Sequence, residues 1–373
     1  MNLLPRFDGN RVKIHPYFLR ASDEVKRVFA AAGNPVKTLE IGKFDPLAGF
    51  KIGKLCREHD IDVMHLCCYA ASTWGRIVGS RRNIPTVVQD FDTQIYFPYP
   101  PYLRLADRVL ASSTGHAFAA SSACRDYMRD VRRIPGDRLD IMYHAIPASM
   151  LTEVSAEDRA AAREKLGLAQ DEFVFLAVTK LGPDRGNEAM LAAFADVRRK
   201  VPRARLVIVY KPTLYHRLPK EYDGLAWARD PAQMRARLDA DIAKLGVGDA
   251  LLLSDQLDNP REYYKAADVV VAPYENSRFS SVGLIDAMAY GLPFICTNIG
   301  EPQELLDHYK CGLSVPPRDV GALAGAMTRV ATDAPLLAEL RSRAKAGASD
   351  LTVDATANRL AGLYERLAGA GTH

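Results

Sequence analysis

Val269-Val270-Val271-Ala272-Pro273 is followed by Tyr274-Glu275-Asn276-Ser277-Arg278-Phe279-Ser280-Ser281, and then by an apolar helical pattern from Val282 to Tyr290 that Gly291 and Pro293 close. The first run is β-branched, short and free of charge, as a strand buried on both faces must be. The polar loop and the helix start beyond it leave backbone N–H groups unpaired and put a positive dipole end at the strand's carboxyl end, which suits a phosphate. Ser280 and Ser281 also serve as plain helix caps, and the loop alone does not separate the two readings.

The same alternation of short apolar runs and amphipathic stretches extends outward in both directions, which predicts an α/β chain with parallel sheets. In the first half the expected strands are Val12–His15, Val36–Ile41, Val63–Cys67, Thr86–Gln89, Ala117–Ser121 and Asp140–His144, with a helix over Ser22–Ala32. Ala145–Glu157 breaks the rhythm as a hinge. The second series is Val174–Thr179, Arg205–Tyr210, Ala250–Leu253, Val269–Ala272, Phe294–Thr297 and Gly312–Val315. Two doubly wound Rossmann-like units follow, 1–150 and 151–350, with a closing helix in 351–373. They are expected to face a central cleft, with ligand at the carboxyl ends of the strands.

Composition narrows the function classes. The 373 residues are 48% hydrophobic and 25% charged, ordinary values for globular domains. No apolar run approaches the ~20 residues that span a bilayer, and Arg6 and Asp8 interrupt any signal-peptide pattern, so a soluble, cytoplasmic protein is expected. Six cysteines lack C-x-x-C spacing and read as reduced core residues. Residues 1–150 hold 21 Lys and Arg against 15 Asp and Glu, and the remainder 28 against 30. The basic half could face something anionic, such as the inner face of a membrane through peripheral contact, but a surplus of this size is more commonly a plain solvated surface. No basic run is interleaved with aromatics, which argues against nucleic acid.

Asp286-Ala-Met-Ala-Tyr-Gly-Leu-Pro-Phe-Ile-Cys-Thr-Asn-Ile-Gly-Glu-Pro-Gln-Glu304 resembles the signature of family-four retaining glycosyltransferases of the GT-B fold, and Lys310-Cys-Gly-Leu-Ser-Val-Pro-Pro-Arg-Asp is similar to the family's next element. Upstream, Val178-Thr179-Lys180-Leu181 with Arg185-Gly186 resembles the segment whose cations grip the donor diphosphate. Leu251–Gln256 and Tyr263–Pro273 fit the elements before the signature. The resemblance implies a nucleotide-diphosphate sugar, UDP- or GDP-linked, held by the second unit, and an acceptor hydroxyl held by the first. Transfer would retain the anomeric configuration, in glycan, glycolipid or glycosylated-metabolite synthesis. Lys180 stands at the family's Arg position and Arg185 at its Lys position, so both would neutralise the leaving diphosphate, and no metal or other cofactor is expected. Ser281 and the Val282 and Gly283 amides would hold the distal phosphate, and Asp286 would accept the ribose hydroxyls.

Departures from the family pattern leave part of the site open. Arg278 occupies the place of the family's first acid, so Ser277 or Glu275 is a candidate for that role, with Gln256 and Ser280 also on the donor side. In the first unit the family's His is replaced by Phe91, flanked by Asp90 and Asp92, and an Asn-Gly becomes His144-Ala145. Asp90 and His144 are therefore the catalytic-side candidates there. Two rivals remain: a hydrolysing sugar-nucleotide epimerase of the same fold, and a noncatalytic nucleotide-sugar-binding or scaffold subunit.

Overall fold

The computed structural model describes residues 3–31, 33, 35–42, 45, 47–90, 101–151, 153–212, 224–255, 260–276 and 282–370. In chain order the elements are β1 (Tyr17–Phe18), α1 (Asp23–Ala31), β2 (Lys37–Thr38), α2 (Ala48–Glu58), β3 (Met64–Cys67), α3 (Tyr69–Arg82), β4 (Thr86–Asp90), α4 (Pro101–Val109), β5 (His116–Ala119), α5 (Ser122–Asp130) and β6 (Leu139–Ile141). They continue as α6 (Ala156–Lys165), β7 (Phe173–Leu181), α7 (Asn187–Lys200), β8 (Ala204–Pro212), α8 (Pro231–Leu245), β9 (Leu251–Ser254), α9 (Arg261–Ala266), β10 (Val269–Ala272) and α10 (Val282–Ala289). β11 (Phe294–Thr297), α11 (Gly300–Tyr309), β12 (Gly312–Val315), α12 (Val320–Thr332), α13 (Ala334–Ala348) and α14 (Val353–Ala370) complete the chain. It divides into two compact units, Met1–Pro147 with Thr352–His373, and Ala148–Leu351.

The second unit is built on a six-stranded parallel sheet in the order β12-β11-β10-β7-β8-β9. The chain builds outward from β7 in one direction and then from β10 in the other, so these two neighbours form the switch point. Every residue of β10 and β11 is buried, as continuous apolar runs require when helices cover both faces. On one face Phe175, Ile208, Val271 and Ile295 pack against Phe194, Leu238 and Met327 from the helices. Each such side chain contributes roughly 1.5–3 kcal/mol through burial.

At the opposite end of β10 a single carboxylate organises the helices. Asp268 accepts hydrogen bonds from Arg163 and Arg341, each at 2.8 Å, from Arg159, and from the Val174 amide at 2.8 Å. It thereby ties α6 and α13 to the start of the sheet.

The first unit carries the parallel sheet β3-β4-β5-β6, with β1 and β2 as a separate parallel pair. Val12–His15, expected as a strand, is not one. The run ends at Pro16, which has no N–H to give a ladder, and the first pairing joins Tyr17–Phe18 to Lys37–Thr38. The last helix belongs to this unit. Leu360 and Leu363 of α14 pack with Val87, Phe118 and Met142, while the Tyr364 hydroxyl lies 2.5 Å from His65 Nδ1 and Arg11 pairs with Glu365. Beneath β4 runs a buried ionic network in which Arg132 reaches Asp90 at 2.6 Å and Asp107 at 2.5 Å, and Arg76 pairs with Asp107. Among the described residues no helix is long and apolar enough to cross a membrane.

Candidate active site

The switch point between β7 and β10 places two loops side by side. After β7 the chain passes through Gly182-Pro183-Asp184-Arg185-Gly186 into α7, and after β10 through Pro273-Tyr274-Glu275-Asn276. Gly186 has φ +69°, and a Cβ there would stand 1.8 Å from the Pro273 carbonyl oxygen, so only glycine permits this approach. The Glu275 amide donates to the Asp184 carbonyl at 3.0 Å, and Asn276 Nδ2 donates to the Asp184 carboxylate at 3.4 Å. The Arg185 guanidinium lies 5.7 Å from the centroid of the Tyr274 ring. From the neighbouring strands, Thr297 Oγ1 donates to the Tyr274 carbonyl at 2.6 Å and Arg318 Nε to the Glu275 carboxylate at 2.7 Å.

Positive charge collects along this edge. Lys180 of β7 is in direct register with Lys211 of β8, and Arg185 follows five residues later. Partial burial, then the charges of Arg185 and Lys211, hold the Lys180 ammonium below its ordinary pKa. The two neighbouring cations disfavour the charge on Lys180, an effect that an anion would relieve.

The start of α10 closes on the same strand. A Cβ on Gly283 would lie 3.5 Å from the Tyr264 hydroxyl and 3.8 Å from the Val178 carbonyl, and Tyr264 Oη donates to the Gly283 carbonyl at 3.0 Å. The amides of Val282 and Gly283, in the first turn, have no acceptor within their own helix. One turn further in, burial raises Asp286 to a pKa of about 6, and it makes no ion pair with another described residue. A carboxylate held dry beside a helix entry is suited to accept hydroxyls from a neutral ligand group.

The structure thus places Lys180, Arg185 and Glu275 of the expected donor residues at the carboxyl ends of β7 and β10, with Gly283 packed against Val178 of β7 and Asp286 one turn into the same helix. The Glu275 carboxylate is engaged by Arg318. Gln256, Ser277, Arg278, Ser280 and Ser281 lie outside the described residues, as do Phe91 and Asp92. Asp90 sits in the first unit as a buried acid in the Arg132 network, and His144 follows β6 with its side chain exposed. Cys67 and Cys68 are exposed at the β3–α3 junction, a correction to the reading of the cysteines as core, because β3 turns Cys67 outward and Cys68 already belongs to the helix entry. The other four cysteines are buried. Local sequence pattern does not mark Lys211 or Tyr274 as site residues; only the strand register and the loop stitching bring them to Lys180 and Arg185. Among the described residues no group of three His, Cys, Asp or Glu side chains could hold a metal ion.

The architecture, two α/β units each with a parallel sheet, is the GT-B fold. It is similar to the crystal structure of a glycosyltransferase from Rickettsia africae (TM-score 0.73, 13% identity, 93% of this chain and 88% of that one). It is similar also to Anabaena HepE in complex with UDP (TM-score 0.73, 19% identity, 94% and 90%). Residues 158–347, just over half of the chain, match the glycosyl transferases group 1 family, and residues 6–149 match glycosyltransferase family 4. The chain belongs to the group 1 glycosyltransferases. Among curated relatives, the D-inositol 3-phosphate glycosyltransferase of Thermobispora bispora is 28% identical over 263 residues, 70% of this chain and 56% of the relative. The chain spans about half the length of the curated relatives it matches first.

Proposed function

We propose that the chain is a glycosyltransferase that moves a sugar from a nucleotide-diphosphate sugar, UDP- or GDP-linked, to an acceptor hydroxyl with retention of configuration at C1. The observation that carries this reading is the cluster of Lys180, Lys211 and Arg185 at the carboxyl ends of β7 and β8, with Gly283 at the start of α10 packed against Val178 of β7. UDP in the HepE complex supports the donor class.

In this reading Lys180 and Arg185 take up the charge that grows on the diphosphate as the C1–oxygen bond breaks, and the first amides of α10 hold its distal phosphate. The acceptor oxygen bonds to C1 on the face the diphosphate leaves, and its proton passes to a diphosphate oxygen. No protein nucleophile and no metal is assigned to the step. Asp286 receives the ribose hydroxyls.

The acceptor is proposed to be anionic or membrane-borne. Its support is a groove of the first unit where Arg57 of α2 meets Arg81 and Arg82 of α3, with Phe50 68% exposed beside them. The relatives' names carry a phosphorylated polyol, which agrees with that charge.

The deciding experiment follows donor consumption and product anomer by NMR across a panel of nucleotide sugars, with and without acceptors. Acceptor-dependent consumption with a retained anomer is expected. Consumption independent of any acceptor, with release of an epimerised sugar, would make the chain a hydrolysing epimerase instead.

A further inference from the structure

An arginine that meets a diphosphate must first give up the freedom of a long side chain, and a site gains affinity and rate when that cost is met before the ligand arrives. Arg185 is already largely ordered, its side chain only 11% exposed although it follows a loop. Asp184, the acid next to it, forms a buried ion pair with Arg185 Nε at 3.9 Å, and its carboxylate also accepts from Asn276. The guanidinium also lies over the Tyr274 ring, 5.7 Å from centroid to Cζ.

Tyr274 is itself difficult to move. It is buried at 7% exposure, its carbonyl is held by Thr297, and the residue before it is pressed against Gly186. Burial pushes its phenol above the ordinary range, and Arg185 pulls it partly back by charge and by a hydrogen bond. The ring therefore stays neutral at physiological pH. Asp184 already offsets part of the Arg185 charge; a second carboxylate in place of Tyr274 would offset more, whereas a phenol orients the guanidinium and adds no negative charge.

We propose that Tyr274 is a positioning residue that holds Arg185 at the carboxyl edge of β7 and β10, with its charge available to the donor diphosphate. The inference rests on the donor reading given above and adds a residue that acts through Arg185.

The test is a double-mutant cycle on the whole chain, with inorganic pyrophosphate, UDP and GDP as probes in calorimetry. Tyr274→Leu should weaken binding of a diphosphate about tenfold and Tyr274→Phe about threefold, the range expected for losing a contact to a charged group. In an Arg185→Ala background neither change should matter by more than about twofold, because the group they act through is gone. Tyr274→Phe keeps the ring and its volume, so the cycle can be completed even if the leucine variant folds poorly. In ligand-free protein the Arg185 Nε–H should exchange with solvent faster in both tyrosine variants. Equal losses in the two Arg185 backgrounds, or unchanged Nε–H exchange, would overturn the role of Tyr274 alone. A wild-type chain that binds none of the three probes would overturn the donor reading and this inference with it.

Discussion

Gly186 and Pro273 touch where no side chain fits: a Cβ on Gly186 would stand 1.8 Å from the Pro273 carbonyl oxygen. The contact fastens the loop that carries Arg185 to the end of β10. Since φ is +69°, Gly186→Ala combines a left-handed strain with a clash against backbone. The variant should lose more than about 2 kcal/mol of stability in urea denaturation. It should also lose diphosphate affinity, because the loop must lift away from Tyr274. Wild-type stability and affinity together would show that the two loops do not depend on this contact.

Asp286 gives a pH signature of opposite sign to most carboxylates. Burial raises it to about 6 from an ordinary 3.8, so the folded chain holds this proton more tightly than the unfolded one. Its contribution to stability is complete below about pH 4 and is lost as pH rises through about 6. Asp286→Asn should therefore match wild type at pH 4 and exceed it above pH 7, by up to about 3 kcal/mol at 1.36 kcal/mol per unit. Nucleoside diphosphates should bind wild type more tightly as pH passes 6, where the carboxylate ionises, and Asp286→Asn should show no such rise. A stability difference that does not vary with pH would place Asp286 in an ordinary solvated setting.

The basic face on α2 and α3 makes a separable prediction about the acceptor side. Vesicles containing phosphatidylglycerol should float the protein, neutral vesicles should not, and 0.5 M salt should release it. Arg81→Glu with Arg82→Glu should weaken the association by roughly 1 kcal/mol or more per charge, and Phe50→Ser should weaken it at unchanged charge. Flotation indifferent to anionic lipid would remove membrane contact from the proposal.

How far the sequence reads depends on whether local pattern or distant packing decides a feature. Val269–Ala272, Phe294–Thr297 and Gly312–Val315 are strands to the residue, since each is a short uncharged run beside a proline, a glycine or a charge, the first two buried on both faces. Lys180 and Arg185 are legible by their spacing and the resemblance it carries. Lys211 is not, because only the parallel register of β7 and β8 puts it beside Lys180. Tyr274 hides for the same reason, its partner lying 89 positions away in the chain. Asp90 is a candidate because it flanks Phe91, which takes the place of the family's His, and the arginine that engages it, Arg132, is 42 residues further along, where no local pattern shows it. In the first half the strands are two to five residues long, and so short a ladder as Tyr17–Phe18 carries no periodicity to read.

The claim on which the rest depends is that the switch point of the second unit binds a diphosphate through Lys180 and Arg185. Calorimetric titration with UDP and GDP, each beside its monophosphate, tests it in wild type, Lys180→Ala and Arg185→Ala. In wild type one diphosphate should bind tighter than its monophosphate. Each variant should lose about 1.5–3 kcal/mol on the diphosphate and little on the monophosphate, as removal of one charge-assisted contact requires. Equal affinity for mono- and diphosphate in wild type, or variants that bind as wild type does, would contradict it.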